Sequence, residues 1–124
     1  MWRVIVIGIF GFAGTVARYA VQGGVQRLTG ASFPSGTLAV NLAGSFVVGF
    51  AATLFLERAA ASPLWRSAVL IGFCGGFTTF SALAYETFEL VRAGDLMRGL
   101  LNLGLHGVLG LAAVWAGYAL AVKL

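Results

Sequence analysis

The chemically most informative stretch of the chain is residues 75–81, Gly-Gly-Phe-Thr-Thr-Phe-Ser, which interrupts an otherwise apolar run. Paired glycines weaken a helix, and the hydroxyls of Thr78, Thr79 and Ser81 can hydrogen-bond the backbone groups that a break releases. Within a membrane, non-helical backbone persists only where protein or a water-filled cavity surrounds it. A break at that depth offers carbonyl oxygens to a cation and N–H groups to an anion. The motif therefore predicts a site that handles an ion.

Polar side chains also recur at a spacing of four along two further apolar segments, which places each set on one helix face. Amide and imidazole groups in lipid need partners, so such faces point into the helix bundle or a water-filled route. A neutral amide such as Asn41 can donate two hydrogen bonds to a small anion, and for this residue ion binding and simple packing stay equally open. The two faces comprise Thr37, Asn41, Ser45 and Gly49 on one segment, and Asn102, His106, Gly110, Ala113 and Gly117 on the other.

The lone histidine, His106, has no carboxylate on its own helix face, so a hydrogen-bonded structural role is favoured over a proton relay. Arg18 either extends to the membrane interface or draws anions into a vestibule. Glu86 and Glu89 can pair with Arg18 or Arg92, and we expect a structural ion pair near the interface. Nothing in the sequence forms a nucleophile–base pair, a phosphate-binding loop or a metal-ligand cluster, so no enzyme is predicted.

The elements that position these residues follow from composition. Of the 124 residues, 60% are hydrophobic and 10% are charged, whereas ordinary soluble proteins have about 25% charged residues. Four apolar segments each approach the roughly 20 residues that cross a bilayer. We predict a single four-helix transmembrane domain over residues 1–124, with a first span that is retained and not a cleaved signal peptide. The predicted spans are residues 2–24, 35–56, 64–91 and 96–122, the third of them broken.

The positive charges are balanced between the two ends of these spans. Membrane orientation follows the excess of Lys and Arg on one side, and here there is almost none. The sequence therefore favours insertion in both orientations and an antiparallel dimer, and the +4 net charge, spread singly, does not predict a nucleic-acid surface. One side carries Arg3, Arg58, Arg66 and Lys123, and the other carries Arg27, Arg92 and Arg98, with Arg18 near the end of the first span.

The chain resembles the small fluoride channels called Fluc or CrcB. The resemblance covers essentially the whole sequence and is carried by residues 11–19 (GFAGTVARY), 36–49 (GTLAVNLAGSFVVG) and 72–81 (GFCGGFTTFS), together with Glu86. It implies an antiparallel, dual-topology homodimer of four-helix subunits with two fluoride pathways and a central structural sodium ion. It also implies a multi-pass protein of the bacterial inner (plasma) membrane that passively exports cytoplasmic fluoride and so reduces its toxicity.

The same resemblance implies roles for individual residues. Gly75 and Thr78 match the positions whose backbone carbonyls hold the sodium ion. Asn41 matches the pore amide, Phe80 matches a phenylalanine whose ring edge faces fluoride, and Arg18 matches an arginine near the aqueous mouth. Ring edges carry partial positive charge, so an anion site of this kind is physically reasonable.

The sequence also departs from the family pattern. Leu83 stands where a second pore phenylalanine is usual, Ala82 replaces a hydroxyl, and Gly110 replaces a serine, which leaves Asn102 and His106 as the polar track of the last helix. With Ser81, the expected fluoride pathway is Asn41, Phe80, Ser81, Leu83, Asn102 and His106.

The departures fit either a channel with altered conduction or one subunit of a heterodimeric channel. Rivals of other classes are a proton-coupled small multidrug exporter and a non-conducting membrane assembly subunit. The exporter needs a membrane-embedded carboxylate that exchanges protons. The first span has no acidic residue, and Glu86 lies late in the third.

Overall fold

The computed structural model describes residues 1–30, 32–58 and 61–124, and within them the chain is helical and has no strand. Four helical stretches are long and apolar enough to cross a membrane, with the third bent by a break, so the prediction of an all-helical protein with four spans and a broken third helix is confirmed. The helices are α1 (Trp2–Thr29), α2 (Ser35–Glu57), α3 (residues 63–77), α4 (Phe80–Arg92) and α5 (Leu96–Ala121), where α3 and α4 together form the third span, Pro63–Arg92.

The break in the third span consists of Thr78 and Thr79. Their backbones are extended, with φ and ψ of −89° and 160° for Thr78 and −152° and 115° for Thr79. The Thr79 hydroxyl accepts a hydrogen bond from the backbone N–H of Ala82 at 3.2 Å and so caps the start of α4. The expectation that Gly75 and Gly76 form part of the break is wrong, because both lie in the last helical turn of α3.

The glycines of this region permit close helix contact instead. An added Cβ at Gly76 would overlap the carbonyl oxygen of Gly11 on α1, and one at Gly14 would overlap the carbonyl of Phe73. Helix α3 begins as Pro63–Ser67, continues as a π-helical stretch, Ala68–Cys74, and ends as the α-turn Gly75–Phe77. Short π-helical insertions frequently accompany functional sites. Here the stretch lies against α1 and leads directly into the break.

Helices α2 and α5 form the most extensive helix pair. An added Cβ at Gly49 would overlap the carbonyl of Val114, and one at Gly117 would overlap the carbonyl of Phe46. The two predicted small-residue faces therefore meet each other, and at this end of the pair they serve packing. The tight turn between α4 and α5 uses Gly94 at φ 87°, and Asp95 caps α5 by accepting from the N–H of Arg98 at 3.1 Å.

The buried interior includes polar residues, whereas large apolar side chains point outward. Thr37, Val40 and Asn102 are almost completely buried. Exposed leucine, isoleucine, valine and aromatic residues occur along all four spans. This distribution suits lipid as the surrounding solvent, because van der Waals packing and interhelical hydrogen bonds then hold the helices together.

Candidate ion pathway

The break is held by the side-chain amide of Asn41 on α2. Asn41 Nδ2 donates to the Thr79 carbonyl at 3.0 Å, and the Thr79 N–H donates to Asn41 Oδ1 at 2.8 Å. In a continued helix that N–H would bond the Gly75 carbonyl. Asn41 thus takes the place of a helical hydrogen bond and frees the Gly75 carbonyl. The sequence predicted Asn41 as a site residue but gave no signal for this backbone pairing.

Thr78 is fixed on three sides. Its N–H and its hydroxyl both donate to the Cys74 carbonyl, each at 2.9 Å, which closes the last turn of α3. Its methyl group lies against Gly44 of α2, where an added Cβ would overlap Thr78 Cγ2. Its carbonyl faces Arg18 of α1, whose Nη1 lies 3.5 Å from the oxygen. Arg18 therefore reaches the break itself.

A cavity of about 310 Å³ lies beside the break and brings together four of the predicted pathway residues: Asn41, Phe80, Leu83 and His106. Phe80 is 80% exposed, whereas Leu83 is only 8% exposed. The cavity wall is otherwise formed by Ser45, Val48, Thr78, Thr79 and Val114, so it carries amide, hydroxyl and imidazole groups and no lysine or arginine.

Ser81 lies elsewhere. It lines a second opening, of about 590 Å³, together with Arg18 and Tyr85, and its hydroxyl is 3.3 Å from that of Thr79. Thr79 lines both openings and separates Ser81 from the cavity that holds Asn41. The structure thus places two predicted residues, Ser81 and Arg18, on one side of the break and the other four cavity residues on the opposite side.

A third opening, of about 620 Å³, surrounds Glu86 at the α1–α2 end of the bundle. Gln22 Nε2 donates to the Thr37 hydroxyl at 3.1 Å, and that hydroxyl donates to Glu86 Oε1 at 2.5 Å. The expected ion pair of Glu86 with an arginine is therefore wrong, because Thr37 from α2 reaches its carboxylate first. The second expectation holds for Glu89, which pairs with Arg92 at 3.0 Å on an exposed surface.

Asn102 and His106 are connected but differently placed. Asn102 is fully buried, at 0% exposure, and its Nδ2 donates to the Thr87 hydroxyl at 3.0 Å. His106 Nδ1 lies 2.9 Å from the backbone carbonyl of Asn102 and lines the cavity beside the break. Asn102 itself joins α5 to α4 behind the cavity wall.

Backbone carbonyls are the available metal ligands near the break. The described residues contain no group of three or more His, Cys, Asp or Glu side chains that could hold a metal ion. Gly75 is exposed, and its carbonyl has lost its helical donor to Asn41. The Thr78 carbonyl has only the long contact from Arg18. Hard cations prefer such oxygen ligands, so the donor set fits a monovalent hard cation better than a transition metal.

Comparison with known proteins adds independent observations. A family model described as CrcB-like protein, Camphor Resistance (CrcB), matches residues 5–118. A Solibacter usitatus protein named "Fluoride-specific ion channel FluC" is 43% identical over 119 residues, which cover 96% of this chain and 98% of that relative. A protein of the same name from Geobacter sulfurreducens is 43% identical over 124 residues and covers 100% of both chains.

A third relative, from Methylococcus capsulatus, also carries the name "Fluoride-specific ion channel FluC" and is 44% identical over 118 residues, or 95% of this chain. This chain spans about half of that relative, 52% of its length. The names of all three relatives describe ion channels and not enzymes, in agreement with the prediction from the sequence.

Proposed function

The chain belongs to the CrcB family, and from this membership we propose that it forms a passive, fluoride-specific ion channel in a lipid bilayer. The observation that carries the proposal is the cavity beside the helix break, where Asn41, Phe80 and His106 meet in the middle of four apolar spans. A neutral polar lining at that depth suits an ion that must enter and leave quickly, since tight binding by a fixed charge would slow its exit.

Fluoride is small and strongly hydrated, so a pore must replace its water with hydrogen-bond donors. An asparagine amide has two N–H donors, and one of those of Asn41 is used on the Thr79 carbonyl. The other is available to an anion in the cavity. The ring edge of Phe80 adds a weak positive field. Narrow spacing between α2, α4 and α5 excludes larger anions by size.

We further propose that two antiparallel copies form the channel. Phe80 is largely exposed although it lines a polar cavity in the middle of the bundle, so a second copy is needed to enclose it. The near balance of positive charge between the two faces supports opposite orientations of the two copies. A heterodimer is the alternative, because the buried Leu83 provides no ring edge and a different partner would provide one.

A structural sodium ion between the two copies is part of the same proposal. Gly75 and Thr78 would hold it through their carbonyls, and two copies would double the number of oxygen ligands. The ion would neutralise the free carbonyl ends of α3 and so stabilise the break. Arg18 lies near the Thr78 carbonyl and would have to yield that contact or share the oxygen.

The proposed location is the bacterial inner (plasma) membrane, where the channel lets accumulated fluoride leave the cell and so limits its toxicity. The four candidate spans and the bacterial relatives support a multi-pass membrane protein of this kind. Because the channel is passive, the direction of flow follows the fluoride gradient.

The test is fluoride efflux from liposomes that contain only this protein, followed with a fluoride electrode in the presence of a potassium ionophore, with chloride recorded in parallel. Fast fluoride release without chloride release supports a self-sufficient channel and shows that Leu83 is tolerated. Chloride release at a similar rate contradicts fluoride selectivity. No release from folded, verified dimers contradicts the homodimeric channel and directs attention to a partner chain or to a non-conducting role.

A further inference from the structure

Three buried polar atoms lie in one region without a hydrogen-bond partner among the described residues: Glu86 Oε2, Asn102 Oδ1 and His106 Nε2. A buried polar group without a partner is costly, and each such group in a native structure calls for an explanation. The other polar atoms of the same three residues are satisfied, Glu86 Oε1 by Thr37 and Asn102 Nδ2 by Thr87. The side chains are therefore held in place while one atom of each remains free.

The three residues lie on facing surfaces of α4 and α5. Thr87, the neighbour of Glu86, binds the Asn102 side chain, and the Asn102 carbonyl binds the His106 ring. Leu83, just under one turn before Glu86, lines the same cavity as His106. The charge of a protonated His106 also acts on the Glu86 carboxylate. The carboxylate and the ring thus face each other across the α4–α5 contact.

The position of one proton follows from the histidine contact. A backbone carbonyl can only accept, so His106 Nδ1, 2.9 Å from the Asn102 carbonyl, carries the hydrogen. In the neutral ring Nε2 is then an acceptor. With an ionised Glu86, the region would hold three buried acceptors and no donor. One added proton between Glu86 and His106 removes the conflict.

We propose that Glu86 Oε2 and His106 Nε2 share a single proton, directly or through one water, in the wall of the ion pathway. The proton resides either on the carboxyl, opposite a neutral ring, or on the ring as imidazolium, opposite a carboxylate. Both forms have zero net charge, and their exchange moves the proton between Oε2 and Nε2 without taking one from solvent. The inference about the pair stands on its own geometry, and only its effect on flux rests on the proposed function.

The surroundings of the pair contain few competing charges. From α2 the contact is the uncharged Thr37 hydroxyl, and from α1 the Glu86 opening receives Tyr19 and the amide of Gln22. Helix α4 adds Glu89, which is paired with Arg92, and Tyr85. Helix α5 adds no other charged side chain there. Arg18 lines the neighbouring opening that shares Tyr19, Gln22 and Tyr85 with this one.

The first test uses the single histidine of the chain, whose imidazole nitrogens give an unambiguous nitrogen NMR signal after labelling. In protein reconstituted in lipid at neutral pH, we expect Nδ1 to be protonated and Nε2 to show a shared proton. Glu86→Gln should remove the shared-proton signature at Nε2 and leave Nδ1 protonated. Glu89→Gln is the matched control and should leave both signals unchanged. Ring signals that do not respond to Glu86→Gln overturn the proposal, and this experiment needs no fluoride flux.

The second test is a double-mutant cycle on fluoride efflux. Glu86→Gln and His106→Asn each remove one side of the pair, and Asn retains a donor for the Asn102 carbonyl. We expect each single variant to lower flux roughly tenfold, as for loss of a charged hydrogen bond, and the double variant to lower it by the same factor. Losses that multiply to roughly a hundredfold overturn the coupling. The pair of Glu89→Gln with His106→Asn is the control and should show no coupling. An inactive wild type would contradict the proposed function and leave the NMR result to decide the proton pair.

Discussion

The amide of Asn41 binds both backbone polar groups of Thr79, with Nδ2 donating to the carbonyl at 3.0 Å and Oδ1 accepting from the N–H at 2.8 Å. One side chain of α2 therefore does what the next turn of helix would otherwise do in the third span. This pairing gives Asn41 two tasks, since it keeps the break open and directs its remaining N–H into the cavity beside it.

Substitution of Asn41 should affect both tasks, and the choice of residue separates them. Asn41→Ala leaves the Thr79 N–H and carbonyl without their side-chain partner, so we expect a loss of about 1–3 kcal/mol in the free energy of unfolding as well as lost flux. Asn41→Asp keeps the acceptor for the Thr79 N–H but places a charge where the anion passes, so flux should be lost with a smaller change in stability. Thermal unfolding in detergent and liposome efflux measure the two effects. Equal stability of wild type and Asn41→Ala would contradict the role in holding the break.

The contact between Gly44 and Thr78 predicts a clash that a second substitution relieves. Gly44→Ala places a methyl group into Thr78 Cγ2, and overpacking of this kind costs typically about 1–3 kcal/mol. Thr78→Ser removes Cγ2 and keeps the hydroxyl that binds the Cys74 carbonyl, so the double variant should recover much of the loss.

Gly104 provides the control, because an added Cβ there meets nothing within 4 Å and alanine is the better helix former. Gly104→Ala should leave the unfolding temperature unchanged or raise it slightly. Failure of Thr78→Ser to rescue Gly44→Ala would show that the two residues are not in contact.

The exposed ring of Phe80 predicts a variant that loses function without losing its fold. Phe80→Leu removes the ring edge at a position that is 80% exposed, so fluoride efflux should fall while helix content and unfolding temperature stay close to wild type. Phe88→Leu is the matched control on the same helix, because Phe88 is also exposed, at 56%, but lies outside the cavity beside the break. Similar flux in Phe80→Leu and wild type would exclude the ring from the pathway.

The shared proton of Glu86 and His106 predicts a direction for the pH dependence of flux. Loss of the proton leaves a carboxylate and a neutral ring, with net negative charge that repels fluoride, whereas a further proton leaves net positive charge that attracts it. An unperturbed imidazole changes charge between about pH 5 and 8, so flux should fall as pH rises through this range.

The measurement is efflux at matched internal and external pH, corrected with protein-free liposomes for HF that crosses the bilayer. His106→Asn should flatten the profile. A flat wild-type profile would assign His106 a structural role, and a rise of flux with pH would contradict the sign of the argument.

The sequence was sufficient to predict the elements but not their pairings. Four apolar runs and the hydroxyl-rich motif predicted four spans and a broken third helix, because apolar length and helix-weakening residues act locally. The position of the break within the motif was not predicted correctly. Gly76 stays helical since it packs against Gly11, a contact between residues far apart in sequence.

The partners of the site residues depended on the tertiary fold in the same way. Glu86 was expected to meet an arginine, but the crossing of α2 and α4 brings Thr37 to its carboxylate. The Asn41–Thr79 pairing joins residues 38 positions apart and has no periodic signature. Spacing along one helix identified Asn102 and His106 as residues of one face, whereas their relation to Glu86 appeared only when α4 and α5 were seen together.

The π-helical stretch Ala68–Cys74 has a consequence for how this chain tolerates changes in length. A π turn holds one residue more than an α turn, so the stretch amounts to a one-residue insertion within the third span. Deletion of a single residue there, such as the 66% exposed Ile71, would permit ordinary α-helical bonding. It would also turn the segments before and after it by about 100° relative to each other, given 3.6 residues per turn. The helix would become more regular, and the contact of α3 with α1 would no longer be compatible with the direction in which Thr78 points.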